Sequence, residues 1–180
     1  LVKGAVIPNA GFDVAEAFPT SSRIPAGTVV AVDPANPEHV VPANLESGGV
    51  LGIVSTEPAV KLAGDEAMGG LRPDLLQAAR EAVAQGEISL ALALRQEWRE
   101  IEAARTDMAY VALAGRVPLR VDLSGGVINP GDALGLSTKP GVATKHFGVG
   151  PVIGIALEAW SGQGNTVMVF VKNETGAPVS

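Results

Sequence analysis

Cysteine is absent from the 180-residue chain, which excludes disulfides, thiolate nucleophiles and thiolate metal sites. Histidine is nearly absent. His39 and His146 stand alone, without H-E-x-x-H or H-x-H spacing, and read as surface residues rather than ligands. Aromatics make up 4%, so a core has to be built from valine, leucine, isoleucine and alanine. Positive charge is in deficit: 13 Lys and Arg stand against 19 Asp and Glu, for a net charge of −6. Phosphate contacts and anionic lipid both need a basic face, so neither nucleic acid nor a membrane is an expected partner. No apolar run reaches the roughly 18 residues that span a bilayer. Nucleophile-elbow and P-loop patterns are missing, and no cofactor or metal is expected. A first residue Leu1 in place of Met is what a fragment or a processed product would show.

What is there points to a mainly β domain. Hydrophobic residues reach 47% and charged residues only 18%, with 22 Gly and 13 Pro to make many turns between short strands. Thr28-Val29-Val30-Ala31-Val32, Val40-Val41-Pro42-Ala43 and Gly49-Val50-Leu51-Gly52-Ile53-Val54-Ser55 read as strands. The last is apolar on both faces and is expected to be central. The pattern then returns. Ile128-Asn129-Pro130-Gly131-Asp132-Ala133 aligns with Ile24-Pro25-Ala26-Gly27-Thr28-Val29, and Pro151-Val152-Ile153-Gly154-Ile155-Ala156 with Gly49-Val50-Leu51-Gly52-Ile53-Val54. Gly27 to Gly52 is 25 residues and Gly131 to Gly154 is 23. Each copy closes on another strand, Tyr110–Gly115 in the first and Thr166–Val171 in the second. The reading is a duplicated small β unit, about 24–55 plus 109–121 and 128–171, forming a β-clip-like or barrel-like domain.

Residues 72–107 read differently, as an inserted α-helical hairpin that divides the β domain into 1–71 and 108–180. Pro73 suits a first helical turn, and Asp74 favours the positive end of the helix dipole. Leu71, Leu75, Leu76, Ala79 and Val83 recur at helical steps, and Gln85-Gly86 interrupts. Beyond it Ile88, Ala91, Leu94, Trp98 and Ile101 alternate three- and four-residue spacings, a coiled-coil-like seam. The two helices can bury their stripes on each other, on the β domain or on a neighbouring chain; contact with a partner subunit through Leu94, Trp98 and Ile101 is the favoured reading, since an indole at a seam is costly to leave wet.

Chemistry-bearing clusters are few. Asp13 and Glu16 lie three apart with Asn9 four residues before Asp13. Two nearby carboxylates can divide acid and base roles, and a tethered one can assist cleavage of an adjacent peptide bond. The structural alternative is that Asp13 caps a turn and Glu16 is a surface residue. Trp160, beside the Ser161–Asn165 loop, is the candidate for stacking on a glycan.

Asp13-Val14-Ala15-Glu16-Ala17-Phe18 resembles the Asp-x-Ala-Glu-x-Phe signature of the carboxy-terminal domains of phage neck appendages and tail fibres, the intramolecular-chaperone autoprocessing (peptidase G2-like) family. Similar blocks follow in order: Gly27–Val30, Val50–Ala59, Val111–Pro118, Pro130–Leu134 and Pro140–Lys145. The resemblance covers most of the β portion and not the hairpin. It implies a β-rich, trimeric domain that helps an upstream fibre or stalk of the same polypeptide to assemble, on a virion or an extracellular surface. It also implies that Asn9, Asp13 and Glu16 would form the active group if the chain cuts itself before Asp13. Cleaving members have a small hydroxyl residue before that Asp. Phe12 stands there in this chain, so a non-cleaving structural relative is expected. Two alternatives stay open: an autoproteolytic domain, and a capsid decoration or coat protein, suggested by the paired strands Val111–Gly115 and Gly154–Leu157.

Overall fold

The structure, a computed structural model, describes residues 12–47, 49–62, 73–103, 107–148 and 150–174. It is mainly β, with a sheet that curls as a half-barrel and a small helical insertion. The strands are β1 (Phe12–Pro19), β2 (Val29–Asp33), β3 (Asn36–Pro42), β4 (Gly52–Val54), β5 (Val60–Lys61), β6 (Met108–Arg120), β7 (Ala133–Leu136), β8 (Ala143–Lys145), β9 (Val152–Ala156) and β10 (Thr166–Glu174). The main path through the sheet runs β3-β2-β4-β6-β10-β9-β7-β8, and every pair along it is antiparallel. β1 lies against β6, and the short β5 pairs with β1 in parallel.

That order reads the same from both ends once β2, β3, β4 and β6 are matched to β7, β8, β9 and β10. The match extends to single hydrogen bonds. The Gly27 N–H donates to the Val54 carbonyl at 2.7 Å, and the Gly131 N–H to the Ala156 carbonyl at 2.8 Å. The Val54 N–H returns to Thr28 and the Ala156 N–H to Asp132, both at 2.9 Å. Gly27 and Gly131 both have positive φ, 77° and 90°, the backbone conformation for which these turns need glycine. Register agrees as well: Val29 faces Ile53 and Val30 faces Gly52, as Ala133 faces Ile155 and Leu134 faces Gly154.

Two clusters hold the sheet. The larger joins Val29, Ile53, Ala112, Leu119, Leu134, Ile153, Val167 and Val169, all at most 1% exposed. The smaller gathers Ile24, Val30, Val40, Val54 and Val111 on the other face of the first unit, with Phe18, Leu51 and Leu113 packed against it. β1 has no strand signature in the sequence, because Ala15, Glu16, Ala17 and Pro19 are weak β formers. It is a strand because β6 pairs with it from Met108 to Arg116, with the fully buried Ala15 opposite Ala112.

The insertion is a hairpin of α1 (Pro73–Ala84) and α2 (Ile88–Ala103), turned at Gly86 with φ of 79°. Among the described residues the helices pack chiefly against each other. Leu75, Ala79, Ala82 and Ala91 are buried between them. Val83 and Ile88 are exposed at 47% and 55%, so the stripe read from the sequence is only partly covered.

Candidate functional site

Asp13 sits on β1 directly opposite Gly115 of β6. The residue is 1% exposed, and neither carboxylate oxygen makes a hydrogen bond. Burying an unpaired carboxylate is costly, and the group responds by holding its proton. Burial pushes the Asp13 carboxyl above its usual 3.8. The Ser55 hydroxyl and the N–H groups of Ala59 and of Asp13 itself oppose that shift in part, from nearby but outside bonding geometry. Ser55, at the end of β4, is itself buried, with its N–H bonded to the Tyr110 carbonyl at 2.8 Å.

Gly115 explains how β1 comes so close. Its φ is +105°, and a Cβ there would run into the Phe12 carbonyl oxygen and lie 2.6 Å from the Asp13 Cα. The register also slips between Val14 and Ala15, where β6 carries an extra residue. Gly115 and Ser55 enter the sequence reading only as strand residues and not as part of a site. A glycine inside a strand-like run was the available signal for Gly115, since it marks a close backbone approach. Ser55 carries no comparable signal.

The other residues singled out from the sequence do not gather around Asp13. Glu16 is three residues along the same strand, and odd spacing on a strand places side chains on opposite faces. The carboxylates therefore do not share one site, and Glu16 lies half-buried opposite Val111. Asn9 lies outside the described residues. Asp13 does not cap a turn, being the second residue of a strand. Phe12 is 61% exposed, with the Arg116 guanidinium 4.4 Å above its ring centre. What remains is a single buried acid beside the Phe12–Asp13 peptide bond, suited to giving a proton and without a hydroxyl nucleophile at the preceding position.

Trp160 is not a sugar platform. It is 8% exposed within the larger core cluster, and its indole N–H donates to the Gln163 carbonyl at 2.8 Å. Leu94, Trp98 and Ile101 are half-buried on the stripe of α2 that also carries the buried Ala91. Among the described residues, no group of three or more His, Asp or Glu side chains could hold a metal ion, and no helix is long and apolar enough to cross a membrane.

A second polar cluster is structural. Asp122 accepts hydrogen bonds from the Ser124 hydroxyl at 2.6 Å, the Ser124 N–H at 3.1 Å and the Ser137 hydroxyl at 2.7 Å, with the Lys139 ammonium at 3.4 Å. Burial acts to raise its pKa, but these donors outweigh it and bring the carboxyl down to about 2. The cluster ties the turn after β6 to the β7–β8 connection.

The fold has counterparts among solved structures. The chain is similar to the pre-mature form of bacteriophage phi29 gene product 12, at 15% identity and a TM-score of 0.55, covering 91% of this chain and 22% of that one. It is likewise similar to a C-terminal fragment of the same gene product, at 14% identity and a TM-score of 0.52, covering 90% of this chain and 100% of the fragment. At such identities the likeness is one of fold. The chain spans about a fifth of the pre-mature protein. No protein-family model matches the sequence, and neither does any curated protein.

Proposed function

We propose that the chain is the terminal assembly domain of a phage-appendage-type protein, a homotrimer that helps an upstream fibre or stalk of its own polypeptide to fold. One observation carries this reading: the fold likeness takes in the whole of the gene product 12 C-terminal fragment and nine-tenths of this chain. The half-buried seam of Leu94, Trp98 and Ile101 supports contact between subunits through the hairpin. The domain acts on a virion or another external assembly and needs no cofactor. Light scattering tests the reading. The expected mass is about three times 18.3 kDa, and Trp98→Ala lowers the assembled fraction. A mass of one chain at every concentration would refute it.

Self-cleavage before Asp13 is the second reading, favoured by the unpaired, buried Asp13 carboxyl beside that bond. Phe12 and the separation of Glu16 weigh against it. A longer polypeptide should therefore run intact on a denaturing gel. A fragment beginning at Asp13 and lost in Asp13→Asn would establish the second reading instead.

A further inference from the structure

β1 opens a unit of the sheet, so the repeat is one strand longer than the sequence shows. Ile53 faces Ala112 and Ile155 faces Phe170, which matches Ala112 to Phe170 and Met108 to Thr166. Ala15 then faces Ala112 as Arg116 faces Phe170, and Pro19 faces Met108 as Arg120 faces Thr166. The Thr20 N–H donates to the Asp107 carbonyl at 2.8 Å, and the Val121 N–H to the Asn165 carbonyl at 3.0 Å. Residues 15–19 therefore hold in the first unit the place that residues 116–120 hold in the second. What precedes the two segments differs. Arg116 continues the long strand β6 that ends the first unit. Ala15 follows Phe12, Asp13 and Val14, a short extension of β1 set off by the register slip.

That extension is held along one long edge and by little else. It pairs with β6 at Ala114, Gly115 and Arg116. On its other side Val14 and Ala15 meet the two residues of β5, and the Leu62 N–H donates to the Ala15 carbonyl at 2.8 Å. The second half of β1 has a firmer anchor, because Phe18 packs on the smaller core cluster. Asp13 lies in the weakly held half. Both of its oxygens are shut off from water and make no hydrogen bond, and the two backbones meet at Gly115 too closely for a side chain to fit between them. An ionised carboxylate in that position can be hydrated only if β1 moves off β6.

The charged and titratable neighbours do not compensate it. Glu16 is on the other face of β1, and Tyr110 of β6 is opposite Ala17. The Arg116 guanidinium lies over the Phe12 ring. Glu57, between β4 and β5, is exposed, and Lys61 of β5 is paired with Ala15. On β3, Glu38 is exposed and His39 has its Nδ1 3.2 Å from the Ser21 hydroxyl, beyond the far end of β1. The groups that act on the carboxyl are the uncharged Ser55 hydroxyl and the N–H groups of Ala59 and Asp13, and burial outweighs them.

We propose that residues 12–15 form a pH-operated strap, closed on β6 while Asp13 carries its proton and released from β6 when Asp13 ionises. The strap is a local device at the start of the first unit, and it operates whether or not the chain assembles. Its sense is fixed by the raised pKa. The open strap has an ordinary carboxyl near 3.8, so opening grows as pH rises from that value through the folded one and then levels off. Release uncovers the Phe12–Asp13 peptide bond and the β6 edge from Ala114 to Arg116.

Amide hydrogen exchange of the whole chain tests the strap. It is read by NMR at pH 4 and pH 7 and corrected for the intrinsic pH dependence of exchange. The rate over residues 12–15, relative to Val167 and Val169 of β10, should rise by about tenfold or more across that range. The ratio should stay flat in Asp13→Asn. Chymotrypsin at pH 7 should cut after Phe12 about tenfold faster in the parent than in Asp13→Asn, since cleavage follows the open population. A flat ratio in the parent, which needs no variant to fold, would overturn the proposal. So would a rise that persists in Asp13→Asn. A rise abolished instead by His39→Gln would move the switch to His39 and overturn it as well.

Discussion

Replacing Asp13 by Asn should stabilise the protein at neutral pH and have little effect at pH 4. The carboxyl is buried with both oxygens unpaired, so its ionised form carries a desolvation cost that the nearby Ser55, Ala59 and Asp13 donors offset only in part. Leaving a buried polar group unsatisfied costs about 1–3 kcal/mol, more when it is charged. The sign follows from the raised pKa. A folded-state pKa above the unfolded value means that the native state binds the proton more tightly. The stability this confers is complete below the unfolded value of about 3.8 and is lost as pH rises through the folded value. Asn matches the neutral acid in shape and cannot ionise. The variant should therefore gain about 1–3 kcal/mol at pH 7, with the difference closing as pH falls to 4. Urea unfolding at fixed protein concentration reads this directly. With m of about 1–3 kcal/mol/M for small proteins, the midpoint moves by roughly 1 M. A variant less stable than the parent by the same amount at pH 7 and pH 4 would refute the reasoning. So would a carbon-13 titration of the Asp13 carboxyl centred at or below its ordinary value. A stabilising substitution at a buried polar site would also mark Asp13 as kept for something other than stability.

Gly115→Ala places a Cβ against the Phe12 carbonyl and forces alanine to φ of +105°; a loss of more than about 2 kcal/mol is expected, with faster hydrogen exchange over 12–19 than over 166–171. Asp122 titrates in the opposite sense to Asp13. Its carboxyl is held at about 2 in the fold, so the stability it lends is present above 3.8 and is lost as pH falls toward 2. Asp122→Ala should flatten acid unfolding in that range, as followed by circular dichroism. Leu119→Ala, at 0% exposure in the larger cluster, should cost about 2–5 kcal/mol. Trp160 fluorescence should not respond to added glycans, because the ring is inside the core and its N–H is bonded.

How much of this was legible beforehand differs from element to element. The helical insertion was legible, because Pro73, Gly86 and the three-and-four spacing of apolar residues are local signals of local structure. The paired units were legible too. Turn glycines at 27 and 131 require φ above zero, and the valine-rich runs after them can only pair as strands, so matching sequence led to matching register. β1 was not legible. Ala15, Glu16, Ala17 and Pro19 favour no strand, and the segment is held as one by its pairing with β6. The site followed the same division. Asp13 stood out as a residue, but its isolation from Glu16 depends on strand alternation in a strand that the sequence did not announce. Trp160 showed the reverse error: an indole beside a Gly-rich loop looks exposed, yet its backbone bridges to Ile128, its N–H is bonded to the Gln163 carbonyl and the residue is buried in the core. Sequence alone therefore determined the class, the insertion and the repeat, which rest on neighbours in the chain. Which face of each repeat is buried and which carboxylate is stranded were decided only when residues far apart along the chain were brought against one another.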